Sequence, residues 1–203
     1  MVVRLDLRHL LLATWTVDPA AVARVLPEPL EPTEVDGESV VSIVSFRVRG
    51  GRVGRLPVAP FSQINVRVYA VHQGEPAVFF LRSYVTLLGL AGTLLGAPYR
   101  PAWFRVRRGH TRGLGIQLRY RVDESAEGTP GLLGRHELGV FEGIGLRTIR
   151  VRRGPARWHP AEPVAPVRAD PLVAFGFDLE GPPRLVYAPE AAFETDAPAP
   201  PLL

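Results

Sequence analysis

The sequence predicts a mainly β protein with a few short helices, on three observations. Runs of β-branched and aromatic residues recur with apolar–polar alternation, glycine-containing turns punctuate them, and no internal repeat or coiled-coil heptad is present. A succession of short antiparallel strands with one or two helices points to a barrel or a sandwich. At 203 residues the chain fits one domain, expected over residues 1–195, with a proline-rich tail at 196–203.

The elements follow in chain order. The opening "MVVRLDLRHLLLATW" carries Asp6 and His9 around a very short apolar run, unlike a secretory signal with its longer apolar core. In "TVDPAAVARVLPEPL", Asp18 is an N-cap and Pro19 occupies the first helical position, where its missing N–H costs nothing; the helix runs to about Leu26 and stops at Pro27. Strands are expected at 40–48, 64–71 and 77–85, the last two joined through "HQGEP" as an antiparallel hairpin. "VTLLGLAGTLLGA" is read as a helix from its leucines and the stop at Pro98, against three glycines. Alternation resumes at 102–108 and 115–122, and after the turn-rich "DESAEGTPG" further strands are expected at 137–151, 172–178 and 184–188.

Composition excludes several chemistries. The chain has no cysteine, which removes disulfides, thiol nucleophiles and iron–sulfur ligation. All 24 basic residues are arginine. Arginine stays protonated and forms no Schiff base, so a lysine-imine mechanism and a lysine-bearing P-loop are both excluded. The most apolar stretch, Val85 to Ala97, falls short of the ~20 residues that span a bilayer. A cytoplasmic protein with no membrane partner is the expectation.

Two stretches carry candidate site residues. In "FSQINVRVYAV", strand alternation sets Gln63, Asn65, Arg67 and Tyr69 on one face and Ile64, Val66, Val68 and Ala70 on the other. Asn65 is the sole asparagine of the chain, and asparagine is disfavoured in strands, so it suggests directed hydrogen bonds around a small ligand. In "LLGAPYRPAWF", Pro98 fixes its own φ and Pro101 pushes Arg100 toward extended backbone, which would make Arg100, beside Tyr99, a clamp for a carboxylate. The five histidines are scattered, and "HELGV" at 136–140 lacks the second histidine of a zinc helix, so no metal is expected. Neither a G-x-S-x-G elbow nor a dinucleotide glycine fingerprint is present. The arginines of 105–121 accompany a formal net charge of only +4, which favours a solvated β-face over a nucleic-acid track.

Taken in order, "TWTVDPAAVARVLPEPLEPTEVDGESVVSIVSF", "FSQINVRVYAV" and "LLGAPYRPAWF" resemble the uncharacterised YqjF-like family, with its early tryptophan and leucine-proline, its F-x-E-I-N-V-R-T-Y-V and its leucine-proline-tyrosine. "ARWHPAEPV" at 156–164 is similar to a later His-Pro element of that family. The family is similar to acetoacetate decarboxylase in fold, which implies a mainly antiparallel β-barrel with a central small-molecule cavity. In the decarboxylase, adjacent lysines follow a glycine-x-proline element, one forming the Schiff base and its neighbour depressing the pKa, an effect for which that enzyme is a standing example. The resemblance puts Tyr99 and Arg100 in those slots, and Gln63 in the slot of the family's glutamate. Both departures imply binding in place of decarboxylation.

The leading expectation is therefore a barrel that binds a small organic molecule, carboxylate-bearing or oxygen-rich, through Tyr99, Arg100, Gln63, Asn65 and Arg67, with no cofactor and no nucleic acid. One alternative is an enzyme with Tyr99 as acid and Glu142 as base. Another is an interaction module whose arginine-bearing β-face meets an acidic partner, and self-association stays open.

Overall fold

"LLLA" at residues 10–13 is apolar without interruption, as a strand becomes when both of its faces are buried. In the computed structural model, which describes residues 2–34, 36–131, 137–143 and 145–196, that segment lies in the longest strand. The strands in chain order are β1 (Val2–Val17), β2 (Leu30–Pro32), β3 (Ser39–Val53), β4 (Leu56–Pro57), β5 (Phe61–His72), β6 (Glu75–Val85), β7 (Tyr99–Pro101) and β8 (Arg105–Arg107). They continue with β9 (His110–Gly113), β10 (Ile116–Val122), β11 (Leu138–Gly143), β12 (Gly145–Arg153), β13 (His159–Pro163), β14 (Arg168–Ala169) and β15 (Arg184–Asp196). Two short α-helices, α1 (Pro19–Ala23) and α2 (Asp170–Ala174), and a 3-10 helix at Leu87–Leu95 complete the described elements.

Among the described residues, seven strands pair in the order β1-β3-β5-β6-β11-β12-β15, and β15 returns to β1, closing a barrel. The expected barrel is thus present, but it is mixed: β6 pairs in parallel with both β11 and β7. β15 serves two neighbours on one edge, β13 with residues 185–187 and β12 with residues 193–195. A second sheet, β13-β10-β9-β8, branches from it and folds over the barrel's outer surface. Ile43, Ile64, Val66 and Val68 meet Val106, Ile116 and Leu118 in one buried cluster between the two layers. Within that layer the Ser45 and Thr111 hydroxyls hydrogen-bond at 2.8 Å, joining β3 to β9. Leu10, Leu12, Val44, Phe46 and Val48 form a second cluster on the opposite face of the same strands.

Local chemistry explains most elements. The Asp18 carboxylate accepts from the Ala20 N–H at 2.9 Å, and Pro19 starts α1. The β5–β6 hairpin closes through Gln73 and Gly74, both at positive φ, the requirement of a two-residue primed turn. Three expectations need correction. The stretch 137–151 is two strands, β11 and β12, paired antiparallel. Residues 172–178 do not form a strand: Ala169 is the N-cap of helix α2 and makes no side-chain cap bond, and Asp170 and Pro171 lie in its first turn, where an acidic side chain and a proline are both favoured. The stretch 102–108 is not one strand either, since extended pairing begins at Arg105 and turns at Gly109, φ 74°, into β9. The final strand runs to Asp196, into the first residue of the expected tail, and 197–203 lie outside the described residues.

Candidate ligand-binding cavity

Strand β5 builds the polar side of a cavity by alternation alone. Ile64, Val66, Val68 and Ala70 point outward into the interlayer core, which turns Gln63, Asn65 and Arg67 into the barrel. There they border a cavity of about 510 Å³, to which all seven barrel strands contribute. Its walls are largely apolar, with Leu5, Phe46, Phe80, Phe141, Ile149 and Phe193 among them. Gln63, Asn65 and Arg67 are each buried, so this is not a solvated face.

The polar groups are held in fixed relation. The Gln63 Nε2 amide donates to Asn65 Oδ1 at 2.8 Å, while Gln63 Oε1 is buried with no hydrogen-bond partner among the described residues. Arg67 Nε donates to Ser42 Oγ at 2.9 Å, and its Nη2 donates to the Tyr69 hydroxyl at 3.2 Å. These contacts hold the guanidinium at the wall of the lumen. A second guanidinium, Arg153, comes from the end of β12 and lines the same cavity. Burial and the nearby Arg67 charge pull its pKa down to about 10, with attraction to Tyr69 and Glu137 offsetting part of the effect.

Tyr99 enters the cavity from β7, which pairs in parallel with β6 beside Ser83. Burial pushes its hydroxyl pKa up and the Gln63 amide partly offsets this, so the group is a protonated hydrogen-bond donor at neutral pH. The 3-10 helix covers this end of the barrel. A Cβ at Gly92 would lie 2.4 Å from the Tyr99 ring, and one at Gly89 would lie 2.7 Å from Phe61 and Val85, so those glycines are what let the backbone lie this close. Leu56 and Leu88, both exposed, also border the cavity and give it an apolar rim.

The structure therefore brings Gln63, Asn65, Arg67 and Tyr99 together, and leaves two expected residues out. Arg100 is exposed and does not line the cavity, because the alternation that turns Tyr99 inward turns its neighbour outward. Glu142 is exposed on β11 and also lies outside the lining, since its neighbour Phe141 takes the inward position. The acid–base pair of Tyr99 with Glu142 thus has no geometry to support it. Sequence reasoning missed Arg153 and Glu137. Arg153 had a signal: it falls in phase with Ile149 and Val151, a charge on the apolar side of an alternating strand. Glu137 had none, preceding its strand by one residue. His136, from the H-E-L-G-V segment, lies outside the described residues.

Solved structures share this architecture. An acetoacetate decarboxylase-like enzyme from Sphingomonas wittichii RW1 is similar with a TM-score of 0.65 and 15% identity, over 98% of this chain and 92% of that one. Acetoacetate decarboxylase from Legionella pneumophila gives 0.65 and 13%, over 95% and 84%. The enduracididine biosynthesis enzyme MppR, solved in complex with pyruvate, gives 0.60 and 14%, over 96% and 88%. At such identities the likeness establishes the fold. The uncharacterized protein YqjF of Bacillus subtilis (strain 168) is 29% identical over 83 residues, which cover 39% of this chain and 34% of that protein. Over residues 4–191 the sequence matches the model of DUF2071, described as an uncharacterized conserved protein, and the chain belongs to that family.

Proposed function

We propose that the barrel binds a small organic acid, its carboxylate directed at Arg67 and Arg153 and its apolar part against the aromatic wall. One observation carries this reading: two guanidiniums share a largely apolar lumen, close enough for one to depress the pKa of the other, and Glu137 offsets only part of that effect. Like charges buried together are unfavourable, and an anion between them converts that repulsion into charge-assisted hydrogen bonds. The Tyr99 hydroxyl and the Gln63–Asn65 amides supply further donors and acceptors for oxygens elsewhere on the ligand. The pyruvate complex of MppR supports an organic acid as the ligand class. Without lysine, no imine can form with a keto acid, so the cavity holds the molecule without Schiff-base decarboxylation.

Thermal-shift titration of the purified chain with carboxylates of graded apolar size tests this. Larger apolar acids should raise the melting temperature more than acetate does, with the response lost in Arg67→Gln and Arg153→Gln. Arg100→Gln and Glu142→Gln should respond like the parent chain, since neither residue lines the cavity. Silence toward every acid, or a full response in Arg153→Gln, would sink the reading.

A further inference from the structure

A second cavity, of about 300 Å³, lies outside the barrel near the edge of the overlying sheet. Arg47 reaches it from β3, and Arg105 and Arg107 from β8, on either side of the buried Val106. Ser62 and Thr86 complete its polar lining. The Thr86 hydroxyl oxygen accepts the Ser62 N–H at 3.0 Å, which leaves its own hydrogen to donate.

Charge is concentrated here against the usual rules of strand pairing. Arg47 sits directly opposite Arg8, Arg105 opposite Arg112, and Arg107 opposite His110, which in turn faces Arg119. Like charges across a ladder are destabilising. Among the described residues, Arg47, Arg105 and Arg107 form no ion pair with a carboxylate, whereas Arg8 and Arg108 pair with Glu190 and Glu124. Two histidines flank the cluster and sense the same field. His9, at φ 54° where the β1–β3 ladder shifts register, has its pKa lowered by burial and then by Arg47, Arg8 and Arg108. His110 has its own lowered by burial and then by Arg119, Arg112 and Arg107.

We propose that this groove is a binding site for a phosphoryl dianion. Three arginines and a hydroxyl donor lining one groove suit a tetrahedral group with three or more acceptor oxygens, whereas a carboxylate offers only two. The groove is also polar where the barrel cavity is apolar, so the two sites select different ligand chemistry. A free phosphate and a phosphate ester share the recognised group.

Isothermal titration of the full chain with inorganic phosphate, a phosphate monoester and a phosphoserine peptide, at ionic strength held constant with chloride, tests the site. Arg105→Gln/Arg107→Gln should weaken phosphate binding about tenfold or more, the expected loss of charge-assisted hydrogen bonds. Arg47→Gln should do so independently from the other strand. Arg121→Gln/Arg157→Gln removes equal charge outside the groove and should change affinity by less than about twofold, the margin expected of screened surface charge. Equal binding of all three probes assigns recognition to the phosphoryl group alone, and tighter binding of one identifies the source; both support the site. Equal weakening by the two double variants, no response beyond chloride, or loss of phosphate binding in Arg67→Gln/Arg153→Gln would overturn it. The last result would place the anion in the barrel, while loss of acid binding there with phosphate binding intact separates the two proposals.

Discussion

Replacing Arg153 with methionine should make the empty protein more stable while removing its affinity for organic acids. The Arg153 guanidinium lies in an apolar lumen beside Arg67, and its pKa is pulled down to about 10. An ordinary guanidinium titrates above ~12, and each pH unit of displacement corresponds to about 1.4 kcal/mol. The folded state therefore bears a cost on the order of 3 kcal/mol from holding this cation. The sign follows from proton counting: above about 10 the unfolded chain binds more protons at this site than the folded one, so stability rises with pH there. Below that window both states are fully protonated and the whole cost is present at neutral pH. Methionine keeps an unbranched side chain and removes the charge, a gain of up to ~3 kcal/mol, or ~6–12 °C in Tm for a chain of this size. Urea unfolding at pH 7.5 with unchanged m-value is the assay. A midpoint below that of the parent chain would refute the reasoning, because the guanidinium would then be a net structural support.

Two further outcomes test the geometry around the cavity and between the layers. Gly92→Ala should displace the Tyr99 ring, costing about 1–3 kcal/mol as overpacking does and blunting the thermal response to acids; near-ultraviolet circular dichroism reports the ring's surroundings, and an unchanged spectrum with full ligand response would contradict the contact. Ser45→Ala should leave the buried Thr111 hydroxyl unsatisfied at a cost of about 1–3 kcal/mol, whereas Ser45→Ala/Thr111→Val should recover much of it; additive losses in chemical denaturation would argue against the pair.

The alternation of residues 61–72 is readable from the chain because side-chain direction in a strand depends only on backbone geometry. Hence the grouping of Gln63, Asn65, Arg67 and Tyr69, the Asp18-capped helix and the β5–β6 hairpin were all legible, as was the absence of lysine chemistry. The first strand was hidden because "LLLA" at its centre, apolar on both faces, carries no period to detect. Which face of a three-residue strand points inward is not a local matter. Only closure of the barrel, with β7 laid parallel to β6, turned Tyr99 toward the lumen and Arg100 away from it. The same closure brought Arg153 to Arg67 across 86 positions of sequence, a meeting decided by strand order and invisible to residue spacing. Local propensity specifies what each segment is and which side chains share its face, whereas the sheet's connectivity determines which faces enclose a common volume, and here that volume is where the charge collects.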